Sequence, residues 1–262
     1  MHGNPFNYAR STQPWSLSLV KTNMTGYENS VTYPQFLNCP NGDLLYFFRE
    51  GGSGSGNTFI NRYSALTHTW TNVTLGTSQA PFIVGQTGVP ATTCNAYPNY
   101  ACFDAQTNLH ITWAWRNSSV TIESNHDTLY ARSPDYGATW KRWNATPYTL
   151  PITQTNADNI WPIATNHTIM NMSGQCMDTN NRPVICNWWA PLGAGTPIQY
   201  LIIWNDGTRW RTNQIGNRTT SENQTWPGPA SDITRAATLT GSPKTSPRST
   251  RTSPRLMPTF TW

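Results

Sequence analysis

The chain has 262 residues and a net charge of +5, which is long enough to bury the core of one large all-β domain or of two small ones. No run of eighteen apolar residues occurs, so no helical membrane span is expected, and the opening residues lack the basic-then-apolar pattern of a signal peptide. Five basic residues and one acid in 231–262 carry +4 of the charge, so the body of the chain has no basic surface that would indicate nucleic-acid binding.

Four strand-like pieces recur in the same order along the chain, and the 13 Trp, 11 Tyr and frequent turn residues also favour an all-β fold. Residues 33–74 contain YPQFLN, DLLYFFRE, TFINRYS and TWTNV, and residues 97–143 repeat the order as YPNYACFD, NLHITWAWR, DTLYARS and ATWKRW. A weaker third copy occupies residues 168–215. The repetition predicts three four-stranded antiparallel meanders.

Four-stranded units at this period are typical of β-propeller blades, because each unit must bury both faces against its neighbours. We therefore expect residues 1–215 to form about three blades of an all-β propeller. Part of a further blade is expected at residues 7–17, where NYARSTQPWSL resembles YARSPDYGATW. Three blades and a fraction do not close a ring, so a partial propeller is predicted. Residues 216–262, rich in Ser, Thr and Pro, are expected to be a disordered or aberrant tail.

One turn motif, SPDYGATW, lies between the third and fourth pieces of the second copy. An Asp there can accept hydrogen bonds from the backbone of its own turn, a Gly can take a positive φ, and a Trp can pack into the blade. We therefore expect Asp135 to hold the turn rather than to catalyse. The motif residues are Ser133, Asp135, Gly137, Thr139 and Trp140.

This SxDxGxTW pattern is similar to the Asp box of BNR-repeat proteins, the group that includes sialidases, in which the box lies on the outer rim. The stretches VTYPQFLNCPNGDLLYFFREGGSGSGN, LHITWAWR and SNHDTLYARSPDYGATW extend the resemblance to the BNR repeat-containing (BNR_4) family, from about Tyr8 to Trp210. That family is similar to seven-bladed propeller lyases that cleave ulvan or rhamnosyl-glucuronate linkages, and to a related rhamnosidase. The resemblance implies a carbohydrate-active protein that binds an acidic polysaccharide at one end of the propeller channel, and it favours a lyase acting by β-elimination, although a fold alone does not establish a reaction.

A uronate lyase needs a base for the proton beside the carboxylate and an acid for the leaving oxygen. His126, at the start of a predicted strand and on the family's NHD motif, is the first candidate for the base, with Asn125 beside it as a substrate-binding residue. It could instead bond a loop carbonyl. Tyr97 and Tyr33 open the innermost strands of two repeats, and either could present its hydroxyl as the acid. Tyr97 is the preferred acid and Tyr33 a substrate-binding residue, although their repetition also suits a packing role.

The lyase also needs cations that neutralise the substrate carboxylate, and arginine is suited to this. Arg49 and Arg116 end equivalent strands in two repeats and are predicted to bracket one carboxylate, or else each pairs with a nearby acid such as Glu50. His110 is a further substrate-binding candidate, or a packed strand histidine. The loop GGSGSGN at 51–57 either approaches a sugar closely or forms a flexible hairpin turn.

Three other functions stay open. A non-catalytic carbohydrate-binding propeller would keep the arginines and aromatic residues but tolerate loss of His126. A glycoside hydrolase of sialidase or rhamnosidase type would need two carboxylates, for which Glu50, Glu123 and Asp127 are the best placed of the twelve acids. A sialidase would need a third arginine with a Tyr/Glu pair, and none stands out. An inactive fragment would fail to fold alone.

The five cysteines lack CxxC spacing, so no metal site and no cofactor are predicted, and nothing indicates a structural calcium or zinc ion. Cys176 and Cys186 flank the turn segment DTNNRP and form either a hairpin disulfide or two buried thiols. Eight N-x-S/T sequons are compatible with an extracellular glycoprotein, which we expect to be monomeric. The sequons lie at Asn23, Asn72, Asn117, Asn144, Asn166, Asn171, Asn217 and Asn223.

Overall fold

The computed structural model describes residues 3–52, 54–74, 80–85, 94–117 and 122–220. Its regular structure is four antiparallel sheets and one short 3-10 turn at Ile122–Ser124. Within these residues no helix is long and apolar enough to cross a membrane. The all-β prediction is confirmed, and the predicted tail beyond residue 220 lies outside the described residues.

Three sheets are meanders that correspond to the three repeats. The first blade is formed by β3 (Val31–Asn38), β4 (Leu44–Glu50), β5 (Thr58–Tyr63) and β6 (Trp70–Asn72). The second blade has β7 (Asn95–Pro98), β8 (Cys102–Phe103), β9 (Leu109–Arg116), β10 (Asn125–Ser133) and β11 (Asp158–Trp161), with β8 paired to β9. The third blade has β12 (Gly174–Met177), β13 (Pro183–Trp189), β14 (Gln199–Asn205) and β15 (Trp210–Gln214). The predicted partial blade is a two-stranded sheet of β1 (Tyr8–Ser11) and β2 (Leu19–Thr22).

The outer strand of the second blade lies elsewhere than the sequence suggested. The segment ATWKRW, at 138–143, was expected to form this strand, but the strand is β11 at Asp158–Trp161. Lys141 makes only isolated bridges, to Arg132 and Pro147. The prediction was wrong because the turn directs Trp140 into the core, where its ring lies 4.2 Å from that of Phe82, and so removes this segment from a regular edge.

Each blade buries both of its faces, as a propeller blade must. All eight residues of β9 are buried. Trp113 and Trp115 enter the hydrophobic cluster shared with the first blade, whereas Ala114 enters the cluster shared with the third. Successive side chains of a strand point to opposite faces, so one strand supplies two cores.

A buried polar network joins the second and third blades inside the hydrophobic packing. The Thr112 hydroxyl donates to Oε1 of Gln175 at 2.6 Å and accepts from Nδ2 of Asn99 at 2.7 Å. Gln175 in turn donates to the carbonyl of His110 at 2.9 Å. Because buried polar groups are costly when unpaired, this chain of partners favours one orientation of the two blades.

The cysteines are free thiols rather than a hairpin disulfide. In the register of β12 and β13, Cys176 lies opposite Val184 and Cys186 opposite Gly174, so the two cysteines do not face each other. Burial raises the pKa of the Cys186 thiol to about 11, so this thiol stays protonated near neutral pH.

Hydrogen bonds among its own residues hold the SPDYGATW turn together. The Asp135 carboxylate accepts hydrogen bonds from the Thr139 backbone N–H at 2.7 Å and from the Thr139 hydroxyl at 2.6 Å, and the Ser133 hydroxyl also donates to it at 2.8 Å. Gly137 has a φ of +97° and its carbonyl accepts from the Trp140 indole at 2.8 Å. The turn therefore fixes where Trp140 enters the core.

We expect Asp135→Ala to lower the free energy of unfolding at pH 7 by about 1–3 kcal/mol, since it leaves the turn donors without a charged acceptor. Burial acts to raise the pKa of Asp135, but the hydrogen bonds from Thr139 and Ser133 outweigh it and lower that pKa. A lowered carboxyl pKa contributes stability above the unfolded-state pKa of about 3.9, and this contribution is lost as the pH falls further. Denaturant unfolding of both proteins at pH 7 and near pH 3 tests this; an equal difference at the two pH values would contradict it.

Candidate functional site

Two buried arginines lie at the ends of equivalent strands, Arg49 on β4 and Arg116 on β9. Their exposed fractions are 1% and 5%. Within the described part of the chain, neither has a carboxylate at ion-pair distance, so the expected alternative of Arg49 paired with Glu50 does not occur. Burial lowers the pKa of Arg116, but a guanidinium remains protonated at any physiological pH. Two cations thus lie in a low-dielectric region, and no anion among the residues described balances them at ion-pair distance.

Tyr97, on β7, connects the two arginines. The guanidinium carbon of Arg49 is 4.4 Å from the centroid of the Tyr97 ring, and that of Arg116 is 4.3 Å from it. Cation–π attraction of this kind contributes about 1–2 kcal/mol where water is excluded, so the ring offsets part of the cost of burying the charges. The Tyr97 hydroxyl accepts a hydrogen bond from the Gly54 backbone at 3.0 Å.

The two arginines differ in how their donors are used. Arg116 donates from Nε to Oδ1 of Asn125 at 2.7 Å and from Nη2 to Oδ1 of Asn171. Arg49 donates from Nη2 to the Gly52 carbonyl at 2.7 Å, whereas its Nε and Nη1 are buried and have no hydrogen-bond partner among the residues that the structure describes. Arg116 is therefore fixed by amides, whereas two of the donors of Arg49 are not used in this part of the chain.

Tyr33 lies beside Arg49 at the wall of a cavity of about 340 Å³, which both residues line together with Tyr100 and Met172. The guanidinium carbon of Arg49 is 5.2 Å from the Tyr33 ring centroid. Burial raises the pKa of Tyr33 although Arg49 acts to lower it, so the hydroxyl is protonated at neutral pH. Tyr33 also has a φ of +55°, a strained backbone for a tyrosine, which is often found at functional sites.

The glycine-rich loop supports this cluster. Besides binding Arg49 through Gly52, it accepts a hydrogen bond from Nδ2 of Asn95 to the Gly54 carbonyl at 2.5 Å. The Thr32 hydroxyl donates to the Gly51 carbonyl. With the Gly54 N–H that donates to Tyr97, backbone groups of the loop therefore hold four side chains of the first two blades, which a freely flexible turn would not do.

His126 lies at the same end of the second blade but on its other face. Asn125 pairs with Arg116 and His126 with Trp115, and adjacent residues of a strand point to opposite faces. Nδ1 of His126 is 2.8 Å from the Asp127 carboxylate, and Nε2 is 3.0 Å from Oδ1 of Asn117. Both ring nitrogens thus face acceptor oxygens, and the ring lines a separate open cavity of about 480 Å³.

His110 does not join the cluster either. It lies six residues before Arg116 on β9, which places it about 20 Å away along the strand. Its ring nitrogens are 2.8 Å from the Tyr130 hydroxyl and 3.2 Å from Asp104. Burial lowers the pKa of His110 in spite of Asp104, so the ring is neutral, buried and next to the Asp-box end of the blade.

The structure adds Asn171 to the residues that the sequence suggested. Its Oδ1 accepts from Arg116 and also from Nδ2 of Asn125 at 2.8 Å, and its side chain hydrogen-bonds with Tyr33. Asn171 is only 9% exposed, and Asn72 is similarly buried, so these two sequons cannot carry a glycan in the folded protein. Asn171 lies early in the third repeat, as Tyr33 and Tyr97 do in theirs, and this placement was the signal that could have found it.

No group of three or more His, Cys, Asp or Glu residues able to hold a metal occurs among the residues that the structure describes. The side chains that meet at the cluster are those of arginine, tyrosine and asparagine.

Stacked four-stranded antiparallel meanders, each buried on both faces, define a β-propeller. The chain belongs to the BNR repeat-containing family: the family model, BNR_4, matches residues 1–218. Both expectations from the sequence, the propeller fold and the family, are confirmed.

The chain is similar in sequence to ulvan lyases. A long-isoform ulvan lyase of Pseudoalteromonas sp. (strain PLSV) is 27% identical over 132 residues, which are 50% of this chain and 13% of that protein. A short-isoform ulvan lyase of Alteromonas sp. (strain LOR) is 37% identical over 54 residues, 20% of this chain and 10% of that protein. Among solved structures, an ulvan lyase bound to a -[GlcA(1-4)Rha3S]- fragment has a TM-score of 0.59 at 17% identity, covering 80% of this chain and 50% of that one. The chain thus spans about half the length of this lyase, and the likeness shows the fold.

Proposed function

We propose that this protein is a polysaccharide lyase that cleaves uronate-containing polysaccharides, of the rhamnosyl-glucuronate type, by β-elimination. The observation that carries the proposal is Arg49, a buried cation beside a cavity, two of whose nitrogens have no partner in the described part of the chain. A uronate carboxylate would supply the missing counter-ion and the missing acceptors. The lyase activity of the relatives supports the same substrate class.

Elimination breaks the C5–H bond and the C4–O4 bond of the uronate and forms a C4=C5 double bond. The C5 proton is a weak acid until its neighbouring carboxylate is neutralised, and Arg49, assisted by the charge of Arg116, provides that neutralisation. We assign proton donation to the leaving O4 to the protonated Tyr33 hydroxyl, which lines the cavity beside Arg49 and also hydrogen-bonds with Asn171. Tyr97, whose ring carries the Arg49 guanidinium, positions that arginine.

The sequence predicted His126 as the base, but this residue lies away from Arg49 and both of its ring nitrogens have partners. His126 can accept the C5 proton only if Asn117 releases Nε2 and the substrate reaches the other face of the blade.

Polysaccharides are degraded outside the cell, so we further propose that the protein acts extracellularly.

The test is the ultraviolet absorbance of the unsaturated product formed from a glucuronate–rhamnose polymer. We expect the wild-type protein to form this product, and we expect Tyr33→Phe to lower kcat by about 10²–10⁴-fold. Tyr100→Phe is the matched control, because Tyr100 lines the same cavity but lies at the surface. His126→Ala tells whether that residue is the base. No absorbance with wild-type protein would contradict lyase activity on these polymers, and equal rates for the two tyrosine variants would contradict the role of Tyr33.

A second candidate is a carbohydrate-binding propeller without catalysis. It is favoured by one observation, that both nitrogens of His126 are occupied and no free base adjoins Arg49 in the described part of the chain. Such a protein would bind the polymer through Arg49 and give no unsaturated product.

A further inference from the structure

A second groove lies on the outer side of the first blade, and we call it the rim groove. It has a volume of about 580 Å³ and lies between the β1–β2 sheet and the turn that joins β5 to β6. Its walls include Tyr8, Arg10, Tyr63, His68 and Trp70. The groove is therefore built by two sheets, not by one surface loop.

The rim groove is separate from the arginine cluster. In the β4–β5 register, Arg49 pairs with Thr58, whereas Tyr63 pairs with Leu44. Five residues of extended strand correspond to about 17 Å, so the two sites lie at opposite ends of the first blade. A ligand in one does not touch the other unless it is a long polymer.

Aromatic rings form the floor of the rim groove. The rings of Tyr8 and Trp70 meet edge to face at 5.7 Å, and those of Tyr63 and Trp70 lie 5.3 Å apart. All three residues are only partly buried, so part of each ring remains open to the groove. Concave sites of this kind, aromatic with a few polar groups, bind small ligands, and the C–H faces of a pyranose ring pack well on such rings.

The charge of the rim groove favours an anion. Arg10 donates from Nη1 to the Tyr63 hydroxyl at 2.6 Å, which orients its guanidinium along the wall. No Asp or Glu lines the groove, and Arg10 has no carboxylate at ion-pair distance among residues the structure describes. Threonine and asparagine side chains add uncharged hydrogen-bonding groups, as a sugar requires: Thr12, Thr22, Asn23 and Thr69.

We propose that the rim groove is a second carbohydrate-binding site, which takes a short segment of an acidic polysaccharide. A sugar ring lies on Tyr63 and Trp70, and its carboxylate or sulfate binds Arg10. Holding a polymer at two sites raises its effective concentration at the arginine cluster without any new contact there. The rim groove thus favours long chains over short ones.

The test is calorimetric titration of the full chain, produced without N-glycosylation because Asn23 lines the groove, with short uronate, sulfated and neutral oligosaccharides. It is done in an Arg49→Ala background, so binding at the arginine cluster is removed and no lyase activity is needed. We expect this variant to bind an acidic oligosaccharide, and Arg10→Ala in the same background to raise Kd by about tenfold or more. The matched control is Lys21→Ala, which removes the same charge from an exposed residue of β2 outside the groove.

The uronate and sulfated ligands distinguish which acidic group Arg10 prefers, and binding of either supports the site. No binding in the Arg49→Ala background would overturn it. Equal losses from Arg10→Ala and Lys21→Ala would also overturn it, since they would indicate general attraction to a basic surface, and so would equal binding of the neutral oligosaccharide. Because the readout is binding alone, failure of the lyase assay leaves this result interpretable.

Discussion

Arg49→Ala is expected to lower kcat/KM for a uronate polymer by about 10³-fold, which corresponds to about 4 kcal/mol of transition-state stabilisation. Arg49 carries the unpartnered donors of the cluster, so its removal leaves the substrate carboxylate without its main partner. Arg49→Lys keeps the charge but loses the planar fork of donors, and we expect an intermediate loss. The measurement is the initial rate of product absorbance across polymer concentrations.

The same substitution has an expected effect on stability that separates a binding role from a structural one. A buried cation with unmet donors is costly, so Arg49→Ala should leave the free energy of unfolding within about 1 kcal/mol of wild type, or raise it. Arg62→Ala is the control: Arg62 donates from Nε to Asp43 at 2.7 Å, and Asp43 also caps the Ala65 backbone. We expect Arg62→Ala to destabilise the protein by about 1–3 kcal/mol and to leave the rate unchanged. The reverse pattern, with Arg49→Ala the more destabilising, would assign Arg49 to the scaffold.

Gly56→Ala is expected to decrease the free energy of unfolding by about 3 kcal/mol or more, or to displace the glycine loop. Gly56 has a φ of +105°, and a Cβ there would lie 1.4 Å from the Glu50 carbonyl oxygen. A displaced loop no longer holds the Gly52 carbonyl against Arg49 or the Gly54 N–H against Tyr97. Substrate binding should weaken together with stability, which denaturant unfolding and calorimetry measure separately.

Gly193→Ala is a matched control for the backbone contribution. Gly193 has a φ of +114°, but a Cβ there meets nothing within 4 Å. The substitution therefore introduces only the strain of the left-handed backbone, about 1–3 kcal/mol. Gly193 belongs to a loop of the third blade and is far from Arg49 along the chain. If Gly56→Ala and Gly193→Ala cost the same and neither changes substrate binding, the glycine loop does not support the cluster.

The prediction of the repeats was accurate where the signal was local. Nearly continuous runs of apolar and aromatic residues located β4, β9 and β13, because a strand buried on both faces must carry such residues at successive positions. The Asp box was equally predictable, since its hydrogen bonds join residues at most four apart in the chain. The outer strand of the second blade was misplaced because Trp140, although β-prone, belongs to the turn.

The candidate site was predicted in part. Equivalent positions in the repeats indicated Arg49, Arg116, Tyr33 and Tyr97, and the structure brings these four together. It does not bring His126 or His110 to them. The face of the sheet on which a residue lies, and its position along the strand, depend on register and β-bulges, which the sequence motif does not show.

The sequence by itself determined the central strands of the blades, the Asp-box turn and the strand ends at which the arginines lie, because these depend on local apolar runs and on hydrogen bonds within a few residues. Only the tertiary structure decided that Tyr97 lies between two guanidinium groups, that Asn171 of the third blade holds Arg116, and that Arg49 is left with unpartnered donors. Those contacts join residues of different blades, and their formation depends on how the blades pack against each other. Packing between blades is a property of the assembled core, which no single repeat contains.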